Sequence, residues 1–89
     1  MGYHICYTLS MNTKATQLVM EYKGKQTWDE MSKAINKTPR LEKPVSRAQV
    51  NNWGIGVGTP PYYFLTHLER EGDGWVSRFA SDMLKIITE

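Results

Sequence analysis

The sequence predicts an all-α domain, a compact set of five helices, two of them short, behind an extended N-terminal arm. Three observations predict it. Apolar residues recur at helical spacing in successive segments. Two Ser/Thr-x-x-Glu/Gln capping boxes mark helix starts. Glycines and prolines separate the segments. At 89 residues with 40% hydrophobic content the chain forms one domain around a single core.

The elements follow in order. Tyr3, Ile5, Tyr7 and Leu9 alternate with His4, Cys6 and Thr8, a strand periodicity read as an extended arm over residues 1–11 that packs on the domain or pairs with a second copy. Residues 12–89 form the domain. From Asn12 the period becomes helical, with Ala15, Leu18, Val19 and Tyr22 on one face and Gly24 as a stop. Thr27 opens a capping box with Glu30, ahead of Trp28, Met31, Ser32 and Ile35, and Asn36 ends that helix. Lys37 to Pro44 hold two prolines and three basic groups and form a loop. Ser46 opens a second capping box with Gln49; Val50 and Trp53 then project to one side, while Arg47, Gln49, Asn51 and Asn52 are polar. Gly54, Gly56 and Gly58 are expected to break this helix, and Thr59 before Pro60 to start the next. In that helix Tyr62, Leu65 and Leu68 face inward until Gly72, and aromatic Tyr62, Tyr63 and Phe64, which could suggest base stacking, read as packing residues. From about Trp75 the last helix places Val76, Phe79, Ala80, Met83 and Ile87 on one stripe, which Leu84 and Ile86 widen.

Composition excludes several classes. A single cysteine, Cys6, rules out an intrachain disulfide and a multi-cysteine zinc site, and fits a reducing compartment. No apolar run reaches membrane-spanning length and the N-terminus lacks a signal-peptide layout, so a cytoplasmic location is expected, nucleoid-associated if the chain is bacterial or phage-encoded. His4, His67 and Cys6 have no metal-ligand spacing, and Gly54-x-Gly56-x-Gly58 lacks the βαβ unit a nucleotide loop needs. No catalytic set is present, and an enzyme, a metal and a cofactor are not expected. Net charge is only +2, but residues 23–58 hold seven basic against three acidic groups while 59–89 hold three against five. The basic excess therefore travels with the second and third helices.

This order of signals resembles the lambda-repressor-like helix-turn-helix family, the Cro and phage-repressor type. The family reads roughly T-Q-x-x-L-A-x-x-L-G, then V-S-x-x-x-I-x-x-W-E-x-G, then a proline opening the next helix. Thr27, Met31, Ser32, Ile35 and Asn36 match the first part; Val45, Ser46, Val50, Trp53, Gly56 and Pro60 match the second. The likeness covers roughly residues 12–87. Three departures accompany it. Trp28 stands where the family often has a phosphate-contacting glutamine, Gly54 replaces an acidic residue, and Lys37 to Pro44 lengthen what is usually a turn of about three or four residues. Such an insertion is tolerable if its ends lie close together, since loop length costs little closure entropy.

What the resemblance implies is sequence-specific binding of double-stranded DNA by a small Cro-like transcriptional regulator or repressor. The helix from Ser46 to Trp53 would enter the major groove. Arg47, Ala48 and Asn52 match the family's base readers, with Gln49 and Asn51 within reach of base edges or backbone. Arginine pairs with guanine O6 and N7, Asn or Gln with adenine, and Ala48 only with a thymine methyl. Ser46, the loop bases Lys37, Arg40 and Lys43, and Lys25 and Thr27 at the preceding helix start would hold phosphates. The wide stripe on the last helix, or the N-terminal arm, suggests a homodimer and hence a palindromic operator. The alternative is an adaptor of the same fold that uses the Ser46–Trp53 face for protein contact; an apolar patch there would favour it, a basic stripe centred on Arg47 would favour DNA.

Overall fold

The computed structural model describes residues 14–88, which form five helices and no strand. The arm expected over residues 1–11 lies outside them. α1 covers residues 14–23, α2 Trp28–Asn36, α3 Arg47–Ile55, α4 Tyr62–Glu71 and α5 Trp75–Ile87. Among α2 to α5, the main pairings are α2 with α3 and α4 with α5.

Both capping boxes form as the sequence spacing requires. Thr27 Oγ1 accepts from the Glu30 amide at 3.1 Å while the Thr27 amide donates to Glu30 Oε1 at 2.8 Å; Ser46 and Gln49 repeat the exchange at 3.1 and 2.8 Å. Each box satisfies two amides that a helix start leaves without partners. α1 ends at Gly24, whose φ of 54° suits glycine. Beyond it, the Gln26 side-chain amide donates to the Tyr22 and Lys23 carbonyls.

The core gathers the inward face of every helix: Ala15 and Val19, Met31 and Ile35, Val50 and Trp53, Leu65 and Leu68, then Val76, Phe79, Ala80 and Met83. α1 lies on α5 through Tyr22. Its ring stacks on Trp75 at 6.0 Å and meets Phe79 edge-on at 5.5 Å, while its hydroxyl donates to Asp82 at 2.8 Å. Leu84, Ile86 and Ile87 are half-buried against the same core, so α5 keeps within the chain much of the wide stripe seen in its sequence.

Three expectations are corrected. Gly54 does not break α3: it is buried inside the helix, which runs on to Ile55 and ends at Gly56 in the left-handed region, φ 82°. A Cβ at Gly54 would fall inside the Trp28 indole, only 2.9 Å from its Cζ2, so glycine is there to admit that ring. Second, α4 begins at Tyr62 with Pro61 as its cap, φ −63° and ψ 151°, not at Thr59–Pro60. A residue before proline is driven out of the helical region, and Pro60 precedes Pro61. Third, Tyr62 and Tyr63 are not packing residues. They are 60% and 69% exposed, and Phe64 takes the inward place beside Leu65.

Candidate nucleic-acid interface

α3 is fastened to α2 near both ends. At one end Trp28 covers Gly54, with Lys23 Nζ 4.8 Å from the indole centroid. At the other, the Asn36 side chain donates to the Val45 carbonyl at 2.9 Å and accepts from the Val45 amide at 2.7 Å. That second clamp brings together the two ends of the Lys37–Pro44 insertion, the condition under which a long loop leaves the helix pair undisturbed. Two of the three departures from the helix-turn-helix pattern, Trp28 and Gly54, are therefore one packing arrangement.

Because Val50, Trp53 and Gly54 are buried, with Trp53 against Phe64 at 5.9 Å, the opposite side of α3 is turned outward. At about 100° per residue, Ala48, Asn52 and Ile55 share the centre of that free face. Arg47 and Asn51 lie along one edge and Gln49 along the other. Arg47, Ala48, Gln49 and Asn52 are exposed; Asn51 is half-buried. Gln49 has a restricted part, since its carbonyl oxygen already accepts from the Ser46 amide. Its NH₂ is free, but the cap fixes the orientation of the amide and so constrains the two-point pairing with adenine.

The insertion rests on α4. The Pro39 carbonyl lies 2.8 Å from His67 Nε2, and Arg40, at φ 59°, reaches Glu71 at 3.8 Å. Lys37, Arg40 and Lys43 are all exposed. Between the insertion, the Gln49–Trp53 flank of α3 and α4 runs an open groove of about 520 Å³. Sequence reasoning missed its α4 wall, Tyr63, His67 and Arg70. Their i, i+4, i+7 spacing was the available signal, a polar stripe on the side of α4 away from Leu65 and Leu68.

The two helix starts proposed to hold phosphate differ in charge. Lys25 and Thr27 are exposed, but α2 carries Asp29 and Glu30 in its first turn, and carboxylates there repel a phosphate as the helix dipole attracts it. α3 has no acidic residue in its first turn, and no Asp or Glu occurs between Glu42 and Glu69. The same stretch also exposes apolar groups beyond Asn52, Ile55 at 59% and Val57 at 69%.

Protein-family models, curated proteins and solved structures offer no match to this chain.

Among the described residues no group of His, Cys, Asp and Glu could hold a metal ion, and no helix is long and apolar enough to cross a membrane.

Proposed function

We propose that the chain is a sequence-specific, double-stranded-DNA-binding regulator of the helix-turn-helix kind that reads the major groove with α3. One observation carries this reading: Arg47, Ala48 and Asn52 of α3 are exposed and α3 is free of acidic residues, on a helix clamped near both ends. A short helix held near both ends, with an uncovered outer face, meets the steric demand of the groove, about 12 Å wide. Arg47 is the strongest reader, able to give guanine two hydrogen bonds worth about 1–3 kcal/mol of discrimination. Asn52 can pair with adenine and Ala48 can touch a thymine methyl. Ser46 and the exposed bases Lys37, Arg40 and Lys43 supply phosphate contacts that fix register. A homodimer would set two copies of α3 about 34 Å apart on a palindromic site. The half-burial of Leu84, Ile86 and Ile87 narrows what α5 offers such a contact.

Selection from random duplex DNA tests the reading, with the parent and Arg47→Ala compared at two salt concentrations. A selected motif that loses its preference in Arg47→Ala, while salt-sensitive binding remains, is the expected outcome. Failure of the parent to bind duplex at low salt moves the assignment to the second reading, an adaptor whose α3 end docks on protein. The exposed Ile55 and Val57 favour that reading, because a groove-facing surface gains little from apolar groups beyond thymine methyls.

A further inference from the structure

We infer that the groove between the insertion and α4 is the seat of the DNA sugar-phosphate backbone, a place that presupposes the reading of α3 just given. The groove directly adjoins α3, whose Gln49 and Trp53 form one wall. A strand passing beside α3 in the major groove would lie against it. Arg40, Lys43 and Arg70 contribute three cations to the lining against one carboxylate, Glu42. Arg40 is shared with Glu71, whereas Lys43 and Arg70 are exposed and take part in no ion pair among the described residues. Neutral donors complete the set. The Gln49 NH₂ is left over from its cap, and Tyr63, 69% exposed, adds a hydroxyl on a rigid ring.

With Trp28, Asp29 and Glu30 at the start of α2, phosphate contacts pass to this groove. Positive charge gathered on the opposite flank of α3 does the positioning instead. The insertion then has a purpose beyond linking helices: it brings Arg40 and Lys43 across from Arg70.

The test is the dependence of affinity on salt, measured with the selected duplex and a scrambled duplex of equal length. Each phosphate neutralised contributes about −0.9 to the slope of log K against log salt. Arg70→Gln and Lys43→Gln should each reduce the magnitude of that slope by about 1 and weaken both duplexes alike, with the preference between them kept. Arg70→Lys should restore the slope. Tyr63→Phe should weaken binding without altering it. Lys25→Gln, at the α2 start, should leave the slope unchanged. Slopes untouched by Arg70→Gln and Lys43→Gln, or lowered only by Lys25→Gln, overturn the groove assignment while leaving α3 as the reader. A parent chain that binds neither duplex overturns both.

Discussion

At the scale of single residues, Gly54 shows how a packing demand overrides local preference. Glycine inside a helix costs roughly 1 kcal/mol relative to alanine, yet a methyl at Gly54 would overlap the Trp28 ring, and overpacking typically costs about 1–3 kcal/mol. Gly54→Ala should therefore destabilise the protein by up to about 2 kcal/mol in urea unfolding, the overpacking cost less the gain in propensity. In a Trp28→Ala background the same change should become neutral or stabilising, since residues in contact couple by about 0.5–3 kcal/mol. Gly58, where an added methyl group would meet nothing within 4 Å, provides the control. A stabilised Gly54→Ala single variant would contradict the contact. Asn36 is the matching test at the other clamp: Asn36→Ala removes both hydrogen bonds to buried Val45 and should cost about 1–3 kcal/mol. Asn36 is readable from sequence as a helix end but not as a clamp, because its partner Val45 lies across the insertion. Gly54 reads as a helix breaker for the same reason, its justification being a tryptophan on another helix.

At the scale of the element, what is legible is what is local. Both capping boxes, the loop at Lys37 to Pro44, the stop at Gly72 and the start of α5 at Trp75 depend on neighbours within one turn, and spacing alone reveals them. Ser46→Ala should lower stability by about 1 kcal/mol through loss of the α3 cap, with unfolding midpoints as the measure; an unchanged midpoint would mean the Gln49 half of the box suffices. The start of α4 differs from its expected place because the two prolines act in sequence, the second expelling the first from the helix. The outward turn of Tyr62 and Tyr63 follows from that shift and from Phe64 occupying the core. The groove is not legible because its walls come from three elements apart in sequence, the insertion meeting α4 at the Pro39–His67 and Arg40–Glu71 contacts. Of the candidate readers, Arg47, Ala48 and Asn52 can be placed outward from sequence once Val50 and Trp53 are assigned to the core. The half-burial of Asn51 and the engaged carbonyl of Gln49 require the fold.

At the scale of the whole molecule, α1 and α5 are joined by the Tyr22–Asp82 hydrogen bond within an aromatic cluster. Burial, then the Asp82 carboxylate, hold the Tyr22 hydroxyl above its ordinary pKa. With the folded pKa raised over an unfolded value of about 10, the contribution is whole below that pH and is lost as pH rises through the folded value. Stability of the parent should therefore fall above about pH 10 more steeply than that of Tyr22→Phe, and parallel curves would remove Tyr22 from the alkaline transition. The same body of packed helices is what holds α3 with one side committed to the core and the other free, and the proposed function places DNA at that free side. Amide chemical shifts of the labelled protein, followed during titration with duplex DNA at low salt, test this most directly. Perturbations should centre on Arg47, Ala48 and Asn52 and extend to Lys43, Tyr63 and Arg70. Shifts confined to other surfaces, or none at all, would contradict the assignment of α3 as the reading helix.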